Sequence, residues 1–195
     1  MKKLLILLAC ILTLVSFKTP PQRMLFIGDS LTCYKYGWQH QVATAKGNTY
    51  LNLAVGGTRL SQMKYSLDAQ MKKDAIFTTA FIYGGCNDGF CFVNLEQSLK
   101  YTQDMVDTCN ARGIKPVVVI GFDAEKVIKK TVYDEVITKR SRDRYALLQK
   151  MMKDKLRDCL VIPVNPNFYY EDTGDGIHFK GSGHKKMADW VLSHL

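Results

Sequence analysis

The chain has 195 residues, 47% of them hydrophobic and 23% charged, with a formal charge of +9. That length supports one domain with a substantial core rather than two, and the composition excludes a disordered or fibrous chain. Much of the basic excess lies between Lys126 and Lys155, but Asp and Glu interleave with it and no nucleic-acid motif accompanies it, so it reads as a solvated helix face.

The first element is a leader. Met1-Lys2-Lys3 precedes LLILLACILTLV (Leu4–Val15), an uncharged run too short to span a bilayer comfortably and shaped like a secretory signal. An uncleaved anchor is the alternative. Ser16 offers a small residue for cleavage, while LLAC (Leu7–Cys10) faintly resembles a lipoprotein processing site with few apolar residues before its cysteine. Pro20 and Pro21 then mark the entry to the fold. Residues 1–20 are therefore expected to be signal peptide and leader, and residues 21–195 the working domain. The mature protein is expected to be periplasmic or secreted, with no membrane span. Export also sets the redox context: after Cys10 an odd number of cysteines remains, so at least one is unpaired or pairs between chains. Cys86 and Cys91 are close enough in sequence to bridge, whereas Cys109 lies on an apolar helical stripe and reads as a small buried hydrophobe.

Strand-length apolar runs then alternate with helical patterns. RMLFIG, TYLNLAV, TTAFIYGG, KPVVVIGF and CLVIPVN read in turn as five strands, and their near-continuous hydrophobicity suits parallel strands buried on both faces. Trp38 and Val42 belong to the core face of a helix after the first strand. Leu95, Leu99, Thr102, Val106 and Cys109 form one helical stripe, with Asn94 and Gln97 as a capping box and Gly113 as a stop. Tyr145, Leu148, Met152 and Leu156 form another stripe, and Met187, Trp190, Val191 and Leu195 a third. The stretch from Phe122 to Arg144 is long for a strand-to-helix connection and is a candidate cover for a cleft. Alternating strands and helices imply right-handed crossovers and an α/β fold, a three-layer α/β/α sandwich around a five-stranded parallel sheet.

Ligands of such sheets bind beyond the carboxyl ends of the strands. Four polar or glycine clusters fall there: Gly28-Asp29-Ser30, Gly56-Gly57, GGCND (Gly84–Asp88) and DGIH (Asp175–His178). Acyl transfer explains these residue types. A serine hydroxyl needs a base to take its proton, which His178 supplies through one ring nitrogen; Asp175 would fix the other. The backbone N–H groups of Ser30 and Gly57 and the side-chain amide of Asn87 would then face a developing oxyanion. Plainer readings exist for several of these: Asp29 as a turn former, Asn87 as a loop cap, Asp88 as structural, and His40, His184 and His194 as surface or packing residues. Cys33 and Cys86 neighbour the site, but neither occupies the serine position. The mechanism calls for no cofactor, and no CxxC pair or His/Cys cluster suggests a metal.

These four blocks resemble those of the SGNH hydrolases, also called the GDSL lipase/esterase family. GDSL (Gly28–Leu31), NLAVGG, GCND (Gly85–Asp88) and DGIHF match in order and run across nearly all of the chain beyond the leader. The resemblance implies a flavodoxin-like sheet, catalysis of ester hydrolysis, a supporting role for Asp29, and the name-giving roles for Ser30, Gly57, Asn87 and His178, with Asp175 completing a triad. The substrate stays open between small-molecule or glycan esters and lipid or thioester acyl groups. GGTRL (Gly56–Leu60) resembles the GG-x-R stretch of some acetylxylan-esterase-like members, while Phe90, Phe92 and Val93 would equally line an acyl pocket. A non-catalytic carbohydrate- or lipid-binding protein of the same architecture is the alternative from another class.

Overall fold

A computed structural model describes residues 22–73 and 76–195; the leader assigned to residues 1–20 lies outside them. Five strands, β1 (Arg23–Gly28), β2 (Thr49–Asn52), β3 (Thr79–Tyr83), β4 (Lys115–Val119) and β5 (Leu160–Ile162), form one sheet in the order β2-β1-β3-β4-β5. Every pairing is parallel. This is the flavodoxin-like order, whose direction of winding reverses beside β1 and so opens a crevice at the end of that strand.

Side chains alternate across the pleat, so each strand feeds two cores. Phe26, Phe81, Tyr83, Val117 and Val119 point into one. There they meet α1 (Trp38–Ala45) and α7 (Gly181–Leu192) through Trp38, Val42, Met187 and Val191. Leu25, Ile27, Ile82 and Val118 point into the other, against α2 (Leu60–Met71), α4 (Leu95–Asn110) and α6 (Glu135–Lys155). Two short helices, α3 (Cys86–Phe90) and α5 (Ala124–Val127), lie at the carboxyl edge. Among the described residues no helix is long and apolar enough to cross a membrane.

The expected stripes pack as read, with two adjustments. Asn94 accepts the N–H of Gln97 and starts α4. Leu195 is 39% exposed and lies outside the core, and Trp190 is half-buried with its indole N–H donating to the Pro163 carbonyl. The run from Phe122 to Arg144 is largely helical: α5, a short irregular piece, then the first turns of α6. Its irregular piece abuts the Asp175–His178 loop, where a Cβ on Gly176 would stand 2.0 Å from the Lys130 carbonyl oxygen. The basic stretch of α6 is a solvated face, as expected, with Lys139 and Arg142 paired to Asp143. Cys86 and Cys91 do not bridge: all five described cysteines are free thiols, with Cys86 and Cys109 buried.

Candidate active site

Strand β1 ends at Gly28 because nothing larger fits. A Cβ there would lie 2.7 Å from the Thr32 side chain and 2.8 Å from the Tyr83 carbonyl. The chain then turns sharply, the N–H groups of Thr32 and Cys33 both donating to the Asp29 carbonyl, and this turn lifts Ser30 to the edge of the sheet. Asn52 ties the turn to the end of β2 by donating to the Thr32 carbonyl at 2.9 Å. The indole N–H of Trp38 donates to the Leu31 carbonyl from below at 3.1 Å.

The loop between β5 and α7 brings His178 to the same place. Its Nε2 lies 2.9 Å from Ser30 Oγ, and its Nδ1 2.7 Å from Asp175 Oδ2. Asp175 is held in turn by the N–H groups of Ile177 and His178, both donating to Oδ1. Burial pushes the Asp175 carboxyl up, but the hydrogen bonds from the His178 ring and from these two N–H groups outweigh it and hold the group below its ordinary range. An ionised Asp175 accepts the Nδ1 proton, which leaves Nε2 free to accept from the serine hydroxyl. The side chains of His178 and Asp175 are 52% and 44% exposed, so the relay is open to solvent.

Gly57 arrives from the loop after β2 and Asn87 from α3 after β3, on either side of β1. Gly57 has φ +76°, a left-handed backbone that favours glycine, and a Cβ there would meet nothing within 4 Å, so the space in front of its backbone is clear. Gly56 is the nearer of the pair to the serine, a Cβ on it lying 3.9 Å from Ser30 Cβ. The Asn87 amide donates to the Thr58 carbonyl at 3.0 Å and, at a longer 3.4 Å, to Asp29 Oδ2. Thr58 thereby fixes Asn87 through its main chain, a role no residue type signals. Asp88 is structural, as expected: it accepts from Ser98 Oγ and from Leu60 N–H beneath the loop.

Asp29, adjacent to the serine, is fully buried and accepts the Leu31 N–H at 2.9 Å. Burial, only partly offset by that bond and by His178, raises its pKa to about 7. A carboxyl raised in the folded state contributes stability that is fully present below its unfolded pKa and lost as pH climbs through the folded one. The loss amounts to on the order of 4 kcal/mol by the one-unit equivalence of about 1.36 kcal/mol. Asp29→Asn removes this titration. The stability of the variant relative to wild type, measured by urea unfolding, is therefore expected to rise from pH 4 to about pH 7 and to level off above it; a flat difference from pH 4 to pH 7 would rule the effect out.

Other candidates fall away. Cys86 is buried and its thiol pushed well up by desolvation, which suits packing rather than nucleophilic attack. Cys33 is exposed, its Sγ 3.6 Å from the Ser30 carbonyl rather than at the hydroxyl position. Phe90 packs against Tyr133, and Phe92 lies exposed beneath the guanidinium groups of Arg140 and Arg144. His184 is a packing residue, buried and accepting from the Trp38 N–H.

A profile of the GDSL-like lipase/acylhydrolase family matches residues 26–186. The chain belongs to that family. Solved structures of other GDSL-like and SGNH proteins share its fold at low identity. A protein described as an SGNH hydrolase from Slackia heliotrinireducens superposes with a TM-score of 0.70 at 14% identity, covering 90% of this chain and 99% of the other. An acetyl-xylooligosaccharide esterase from Geobacillus gives 0.65 at 17%, covering 89% and 93%. TesA gives 0.63 at 18%, covering 89% and 98%. No curated protein matches the chain in a sequence comparison. As members of this family are esterases and acylhydrolases, the GDSL-like fold and the hydrolase class agree with the blocks that carried the resemblance.

Proposed function

We propose that this GDSL-like protein is an exported serine hydrolase of carboxylic esters that works through an acyl-enzyme on Ser30. The observation that carries the reading is the continuous line of hydrogen bonds from Ser30 Oγ through His178 to Asp175. Ser30 Oγ attacks the acyl carbon as its proton passes to His178 Nε2. The carbonyl electrons move onto oxygen, where the N–H groups of Ser30 and Gly57 and the Asn87 amide donate to the oxyanion. Collapse breaks the bond to the alcohol oxygen, which takes the proton from Nε2 and leaves. Water then repeats the sequence, releasing the acid and restoring Ser30. To meet an oxyanion, Asn87 turns one N–H from its long contact with Asp29 and keeps the shorter one to Thr58.

Deacetylation of carbohydrates is the substrate reading we favour. The relay is half-exposed, which admits a bulky alcohol; Arg59 completes a GG-x-R stretch beside the site; and one structural neighbour is an acetyl-xylooligosaccharide esterase. Two measurements test the proposal. Purified protein is expected to hydrolyse p-nitrophenyl acetate and to take up one fluorophosphonate label, mapped to Ser30 by mass spectrometry. No turnover together with no label would refute the hydrolase and favour a binding protein. A panel of acetylated xylan, lysophospholipid and acyl thioester then separates the substrate classes, with acetylated xylan expected to lead; a lead by either of the others would replace the carbohydrate reading with a lipase or thioesterase.

A further inference from the structure

The two sides of the relay are built from different layers. Gly57 stands at the approach to α2, over the core shared by α2, α4 and α6, and Asn87 lies in α3, whereas His178 leads directly into α7, which packs on α1. Where Ser30 is the nucleophile, the leaving oxygen must accept its proton from His178 Nε2, so the alcohol half of an ester lies on the imidazole side. On that layer, the segment after the Ser30 turn carries Tyr34, whose ring lies on His184 of α7.

Tyr34 follows the Ser30 turn and is 59% exposed, although its ring is far from loose. It stacks on His184 with centroids 5.2 Å apart and planes 16° from parallel. His184 is itself buried, accepts from the Trp38 N–H, and meets Phe179 edge-on at 5.3 Å. Phe179, the residue after His178, is packed against Phe122 and Phe168 in the core. The Tyr34 carbonyl also accepts from Gly37 N–H and the Gln39 amide. One face of the phenol ring is therefore backed by rigid rings that continue to the catalytic histidine, and the other meets solvent. A preformed flat apolar face with a hydroxyl at its rim, already paid for in conformational entropy, suits a ligand that is itself flat on one side and polar at its edge. Among alcohols the pyranose ring has that form, with C–H bonds on its face and hydroxyls around it.

We infer that Tyr34 is the platform of a leaving-group subsite that stacks a pyranose ring of the alcohol half of the substrate. The inference rests on the serine-hydrolase reading and extends it from the acyl carbon to the sugar. It is tested by comparing kcat/KM for two acetylated pyranosides, acetylated xylotetraose and glucose pentaacetate, with kcat/KM for ethyl acetate, whose alcohol is too small to stack. For Tyr34→Ala the ratio of pyranoside to ethyl acetate is expected to fall about fivefold to tenfold, mostly through KM, and for Tyr34→Phe it is expected to stay within about twofold of wild type. An unchanged ratio in Tyr34→Ala would overturn the subsite, whether both activities hold or both fall together as from a structural defect. A loss in Tyr34→Phe equal to that in Tyr34→Ala would assign the effect to the hydroxyl and also overturn it. A wild type active on ethyl acetate but on neither pyranoside would end the sugar subsite while leaving the hydrolase standing. A wild type inactive on all three and unlabelled at Ser30 would end both.

Discussion

Ser30→Ala is expected to lower ester turnover by about ten-thousandfold or more, because without the hydroxyl no acyl-enzyme forms and the residual rate comes from the oxyanion donors and binding alone. Its stability is expected to stay within about 0.5 kcal/mol of wild type. The reason is local: Ser30 Oγ has His178 as its hydrogen-bond partner at 2.9 Å, and the turn around it is held by main-chain bonds to the Asp29 carbonyl that an alanine leaves intact. His178→Ala should cost a similar factor, and the double variant little more than either alone, since nucleophile and base act as a unit. Steady-state kinetics on p-nitrophenyl acetate beside urea unfolding of the same preparations checks both halves. Turnover by Ser30→Ala within tenfold of wild type would remove Ser30 from the chemistry.

The largest expected effect on stability comes from Trp38. It is fully buried against the face of β1 and β3, meeting Phe26, Phe81 and Tyr83 edge-on at 5.4, 6.3 and 6.0 Å. Its two N–H groups reach different parts of the site: the indole donates to the Leu31 carbonyl and the backbone to His184 Nδ1. Trp38→Ala opens a cavity and strands the Leu31 carbonyl, for an expected loss of about 3–5 kcal/mol in urea unfolding. A chain of this size can fail to fold under such a loss, so Trp38→Phe is the informative companion. It retains most of the volume and drops only the indole bond, for about 1–2 kcal/mol, and because that bond steadies the Ser30 turn, kcat should fall with little change in KM. A loss below about 1 kcal/mol for Trp38→Ala would contradict the packing described here.

The relay and the sheet were legible in the sequence for the same reason: both depend on short-range patterns. β1 matches RMLFIG residue for residue, because from Met24 on it is buried and apolar and it stops where Gly28 must sit against Tyr83. KPVVVIGF overruns β4, since Ile120 and Phe122 remain buried after the ladder ends at Val119, their carbonyls taken by the Gln149 amide instead of a strand. Hydrophobicity marks the core, and here the core outlasts the pairing. α2 leaves only a faint pattern although Leu60, Met63, Leu67 and Met71 are its buried positions, because exposed Tyr65 and the interleaved polar residues blur a narrow stripe. The Thr58 carbonyl that aims Asn87, and the stacking of Tyr34 on His184, join residues far apart in the chain through a backbone atom and a ring face. Neither leaves a mark in residue type.

The half-exposed His178 and Asp175 side chains also bear on the fate of an acyl group carried by Ser30. In so open a setting that group would face bulk solvent, and water would greatly outnumber any dissolved alcohol competing to receive it. The acyl-enzyme should therefore partition to free acid, making this a catalyst of ester removal and a poor one for moving acyl groups between acceptors.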